Sequence, residues 1–267
     1  LLVVSVALPR LSAAPASKGP WRKLTQGARL YLATPRLRGL LALTLAAAAG
    51  SAMVIVSTVV IVRDGLARPD SAVALALAAF GAGSMAVAFL LPRWLENSSD
   101  RKVMFTAAAG MTSVLTILAL LWPRLGVEHR WWLLLAGWTL LGATYAALVT
   151  PGGRLLRRSA HAPERPALFA AQFSLSHACW LVAYPLVGWL GAAQGTAVAL
   201  GAMAALSALG TVLAWRVWPA EMPGPLTHRH DDLAPDHPHL AEHTRSAEGG
   251  HCHDYVIDEL HTRWPSR

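Results

Sequence analysis

The sequence predicts an all-α integral membrane protein built on six transmembrane helices. Three observations carry this reading: six uncharged apolar runs of spanning length, tryptophans and prolines gathered at their ends, and basic residues concentrated in alternate connections. Of the 267 residues 54% are apolar and only 14% are charged, where a soluble domain averages about 25% charged. The mean hydropathy is +0.41. A bilayer core takes about 20 helical residues to cross. Residues 37–62, 71–91, 103–122, 131–149, 167–190 and 195–217 meet that length.

Residues 1–36 come before the first span. The apolar run 1–8 is too short to cross a membrane and has no basic residues ahead of it. We read it as the end of a truncated preceding span, with a secretory signal as the alternative, since small residues follow at 12–16. In the linker after it, Trp21, Leu24, Ala28 and Tyr31 recur at helical spacing, with Arg22, Lys23 and Arg29 on other faces. That pattern fits an amphipathic helix on the inner leaflet, or a solvated basic loop.

The six-helix region, 37–218, is bounded by Trp94, Trp122, Trp131, Trp132, Trp189, Trp215 and Trp218. Indole suits the membrane interface because its ring is apolar and its N–H polar. With the amino-terminal linker in the cytosol, inside connections hold fourteen Lys and Arg residues and outside ones four. This fixes the orientation, with both ends of the chain cytoplasmic. Ala46–Gly50 and Ala79–Gly83 are small pairs four apart, which let helix backbones approach.

Residues 219–267 change character. They hold eight of the eleven histidines and no spanning run, so a largely disordered tail is expected. Three His-x-His units occur there: His228/His230, His237/His239 and His251/His253, with Asp231 and Cys252 beside them. Residues two apart in an extended chain project to one side, so each unit can offer two imidazoles to one transition-metal ion. The alternative is a soluble polar tail. The cysteines, Cys179 and Cys252, imply no disulfide framework.

The net charge of +8 is spread over short clusters, without a nucleic-acid motif. No paired acids, His-Glu-x-x-His motif or activated nucleophile point to an enzyme. No cofactor is required by this reading.

All fifteen carboxylates lie outside the spans, so His177 is the one ionisable group well inside a helix apart from Cys179. At 100° per residue Phe173, His177, Trp180 and Tyr184 share a face, flanked by Gln172, Ser176 and Cys179. Imidazole titrates near neutrality, which suits a proton carrier. A neutral histidine bonded to a neighbouring helix is the plainer alternative.

Residues 91–102, Leu-Pro-Arg-Trp-Leu-Glu-Asn-Ser-Ser-Asp-Arg-Lys, join the second and third spans. This stretch resembles the acidic-then-basic loop of the major facilitator superfamily, a G-x-x-x-D-R-x-G-R-R pattern. Glu96 takes the acidic place, and Asp100, Arg101 and Lys102 the charged end. Asn97 and Ser99 depart from the usual basic residue and glycine. Tyr184-Pro185-Leu186-Val187-Gly188 is similar to the Pro-x-x-Gly bend of antiporter members, with Pro185 and Gly188 as the bend. The resemblance implies two inverted three-helix repeats, forming the carboxyl-terminal half of a twelve-helix secondary transporter in a plasma membrane, bacterial inner membrane included. It implies a missing amino-terminal half, a small solute or ion as substrate, and alternating access. It also implies a charge network at Glu96, Asp100, Arg101 and Lys102 that holds one conformation. His-rich termini are similar to those of nickel-exporting members, which makes transition-metal efflux the narrower alternative. A membrane-anchored metal sensor or scaffold is the alternative of another class.

Overall fold

The computed structural model describes residues 20–220 continuously and, after them, residues 226–228, 244–245, 251–253, 255–257, 260–261 and 264. Eight helices are present among the described residues: α1 Pro20–Ala33, α2 Pro35–Val60, α3 Asp70–Asn97, α4 Asp100–Leu121, α5 Val127–Val149, α6 Gly152–Arg157, α7 Arg165–Gln194 and α8 Thr196–Val217. A π turn, Ile61–Gly65, extends α2, and a 3₁₀ turn, Trp122–Arg124, extends α4. Six of the helices, all but α1 and α6, are long and apolar enough to span a membrane.

Local chemistry sets the helix ends. Thr34 is extended and Pro35 opens α2, where a missing N–H costs nothing. The Ser99 hydroxyl accepts from the Lys102 amide at 3.3 Å and caps α4. Gly195, at φ +85°, makes the one-residue turn between α7 and α8, in a region glycine enters without strain. Pro92 does not end α3, which runs on to Asn97. Proline removes a single donor, and the helix resumes beyond it. The charged loop therefore shrinks to Ser98 and Ser99, and Glu96 sits on the last turn of α3.

The neighbour pattern has an internal symmetry. α3 packs on α5 as α7 packs on α2, and α2 packs on α8 as α5 packs on α4. The pairs α4–α8 and α2–α5 map onto themselves. Exchanging the triplet α2, α3, α4 for α5, α7, α8 leaves these six pairings in place, while α7–α8 and α2–α4 have no comparable counterpart. Because corresponding helices have two spans between them, they run in opposite senses, as inverted repeats require. The core centres on α2: 72% of its most apolar stretch is buried, against 11% for α3 and 22% for α7.

Two further features depart from expectation. The linker helix α1 docks on protein through Tyr31, which is fully buried. In the tail, β1 Leu226–His228, β2 Thr244–Arg245 and β3 His251–His253 form a small antiparallel sheet in the order β1-β3-β2. Regular structure is thus present where none was expected, because residues 226–228 and 251–253 supply each other's backbone partners. Ile257 joins the main buried cluster, with Tyr255 and Trp264 packed against it.

The closest approach is between α3 and α5. A Cβ on Gly83 would overlap the Thr139 carbonyl, and one on Gly142 would overlap that of Phe80. Gly81, two residues from Gly83, has open space around it. Gly83→Val should therefore lower the melting temperature of the detergent-purified protein, by about 1–3 kcal/mol or more in stability. Gly81→Val should leave the melting temperature unchanged or slightly raised, since glycine is the poorer helix former. Equal melting temperatures for the two variants would count against this contact.

Candidate functional site

Two sets of polar residues stand out, one at an end of the bundle and one on the span α7. At the end carrying α1 and the α3–α4 and α5–α7 connections, Asp100 is almost fully buried, 6% exposed. Its carboxylate accepts from the Arg154 Nε at 2.9 and 3.2 Å and also from the Arg154 Nη2. Arg158 Nη1 approaches the second oxygen at 3.5 Å. The planar guanidinium fork suits this double bond to one carboxylate. Arg36, at the start of α2, donates to the Arg158 carbonyl at 2.6 Å and to the Ser159 hydroxyl at 2.7 Å. The acid thus fastens two connections together, and Arg36 ties the start of α2 to one of them.

The other members of the predicted loop set go elsewhere. Arg101 donates to the Trp218 carbonyl at 3.3 Å and lies 4.6 Å over the Phe105 ring, tying α4 to the end of α8. Glu96 and Lys102 are exposed, and neither has an ion-pair partner among the described residues. Sequence reasoning missed Arg36, Arg154 and Arg158 as partners of this site, having counted them only as charges that orient the chain. Their signal was available: one acid at the α4 start faces a basic cluster in the α5–α7 connection.

The set on α7 divides. His177 is exposed, its ring 4.1 Å from Phe173 and 5.7 Å from Trp180 between centroids. Its Nδ1 lies 2.7 Å from the Phe173 carbonyl, one turn back on the same helix. Trp180 donates its indole N–H to the Ser51 hydroxyl of α2 at 2.8 Å, which anchors the stack. Tyr184 is half-buried on the same face. Gln172 leaves the group: its Oε1 accepts from the Tyr31 hydroxyl of α1. Burial pushes the Tyr31 phenol far above its usual range, with Cys179 nearby adding to the effect, so it remains a neutral donor. Ser176 is buried and donates to the Phe173 carbonyl at 2.8 Å. Pro185 lies within α7, which is continuous past Gly188.

Of the tail residues, His230, Asp231, His237 and His239 lie outside the described residues. The backbone register sets His228 opposite His251, Thr227 opposite Cys252 and Leu226 opposite His253. Among the described residues, no three of His, Cys, Asp and Glu gather as a metal site would need.

The family model described as Major Facilitator Superfamily matches residues 40–247. No curated protein matches the chain. Nor does any solved structure.

The Asp100 clasp gives a direct contrast with Glu96. Asp100→Asn should lower stability by about 1–3 kcal/mol, between the exposed and fully buried limits for an ion pair. Glu96→Gln should leave the melting curve in detergent where it was. A larger loss from Glu96→Gln than from Asp100→Asn would reverse the assignment.

Proposed function

The chain belongs to the major facilitator superfamily, and from that premise we propose that it works as a proton-coupled exporter of a small solute by alternating access. The family consists of transporters rather than enzymes, and the chain is an integral membrane member of it. The observation that carries the finer reading is the setting of His177. It is the only histidine in the middle of a span, it stands on the open face of α7, and its stacking partner Trp180 is pinned to α2. An ionisable group at that depth is a functional candidate by default. With no carboxylate inside the spans, imidazole is the group this chain can offer to a proton.

A second six-helix unit would complete the cavity. What supports this is that α3 and α7, equivalent under exchange of the two triplets, are the two least buried spans. Both carry large apolar side chains outward, among them Met85 and Phe89 on α3 and Phe173 and Leu181 on α7. The Asp100 clasp joins connections of the same unit, so its part in transport is to keep these six helices one body while the units rock.

Transition-metal efflux is the second reading, favoured by the register that sets His228 across from His251. Opposed positions on paired strands have Cβ atoms about 4.5–5.5 Å apart, near enough for two imidazoles to serve one ion.

Two measurements test these readings. In vesicles carrying the complete protein, a pH gradient should drive movement of at least one member of a panel of nickel, cobalt, zinc and organic cations. His177→Ala should cut that driven flux at least tenfold while leaving the melting temperature unchanged. An unaltered pH-dependent flux rejects the proton role. Separately, nickel added to the purified protein should release protons, and His228→Ala with His251→Ala should weaken binding about tenfold or more. Full retention of binding would remove the tail sheet from the metal reading.

A further inference from the structure

We propose that the groove between α3, α4 and α5 is a binding site for one anionic phospholipid, whose acyl chain lies in the groove and whose headgroup rests on Lys102. The groove is a cavity of about 460 Å³ lined by Val87 and Trp94 of α3, Lys102, Thr106 and Gly110 of α4, and Thr144 of α5. Ligand sites span about 300–1,000 Å³, so it is large enough for a chain segment.

Its place in the bundle separates it from a transport path. No residue of α2, the central helix, lines it. On α3 it is lined by Val87 and Trp94, which at 100° per residue lie on the opposite side from Met85 and Phe89, so the groove opens away from the face offered to a second unit.

Its chemistry is that of a lipid tail with one charge at the mouth. The Thr106 hydroxyl donates to the Lys102 carbonyl at 2.9 Å, and the Thr144 hydroxyl to the carbonyls of Leu140 and Leu141 at 2.9 and 3.1 Å. Both threonines thus spend their donors on their own helices and leave methyl groups for the groove. Gly110 keeps the floor open, since a Cβ there would come within 3.1 Å of the Thr144 methyl. Towards the α3–α4 connection the groove is lined by Ser98, Lys102 and the half-exposed Trp94. Asp100, two residues from Lys102, is held by Arg154 and Arg158. Lys102 itself has no ion-pair partner among the described residues. A cation on a long apolar stem beside a tryptophan, at the end of an apolar slot, complements an anionic headgroup over its acyl chain. The inference uses only membrane embedding, and stands or falls independently of the solute and of His177.

The test is native mass spectrometry of the full chain, released from detergent after equilibration with equal amounts of dioleoyl phosphatidylglycerol and dioleoyl phosphatidylcholine. One phosphatidylglycerol should be retained in preference. Lys102→Ala should lower that preference about fivefold, the worth of one basic residue near an anionic lipid surface. Gly110→Leu should remove the retained lipid by filling the groove, and Arg124→Ala, at the opposite end of α4, should change nothing. Equal retention of the two lipids would overturn the proposal. So would unchanged retention in Lys102→Ala, or an equal loss in Arg124→Ala. A lipid-free dimer in place of the lipid-bound chain would assign the groove to a second copy and also overturn it.

Discussion

Lipid gives apolar helices no hydrophobic reason to associate, so this bundle depends on how closely its backbones approach one another. The contact of α3 with α5 at Gly83 and Gly142 is the clearest case, because each glycine meets a carbonyl of the facing helix. Three side-chain hydrogen bonds cross between other spans: Ser51 with Trp180, Thr58 with Trp138 and Thr112 with Ser207, each at 2.8 Å. Such bonds average about 0.6 kcal/mol in a membrane. They fix register and rotation more than they supply cohesion, which comes from packing of the small residues around α2.

The two ends of the bundle are fastened differently. At one, a single buried acid gathers two arginines, and a third arginine binds to the segment they come from. At the other, Arg63 with Asp70 and Arg68 with Glu128 make pairs whose carboxylates are largely exposed. Pairs of that kind are worth about 0–1 kcal/mol. Aromatic rings do more there: Arg68 lies over Trp131, and Arg130 over Trp122 while donating to its carbonyl. Trp122 and Trp131 are buried against protein there and Trp218 at the clasp end, whereas Trp94, Trp132, Trp189 and Trp215 face outward.

The spans were legible because lipid demands long uncharged runs, and that demand is written in one dimension. What a helix faces is not. Gln172 and His177 read as one wall by helical angle, yet Gln172 turns to Tyr31 of α1, a residue 141 positions away. Asp100 and Arg101 are neighbours in the chain and bond to different helices, because adjacent residues point about 100° apart. The ends of elements were hardest. Pro92 reads as a stop, and only the packed structure decides that α3 continues past it. The sheet in the tail was hidden because strands of two or three residues carry no periodic signal, and β1 finds its partner β3 more than twenty positions away.

A residue's usefulness in a span depends on what is left unfilled around it. α2 could not host a titrating group for transport, since it is packed on nearly every side. α3 and α7 have faces with room, and they hold equivalent places in the two triplets. Of these two, α3 carries no ionisable residue between Asp70 and Arg93, whereas α7 carries His177. The symmetry of the scaffold therefore offers two equivalent positions for chemistry, and the side chains break that symmetry by equipping only one. Charge is divided in the same way outside the spans: Asp100 is taken up by the clasp, and Lys102, two residues on, has no ion-pair partner among the described residues.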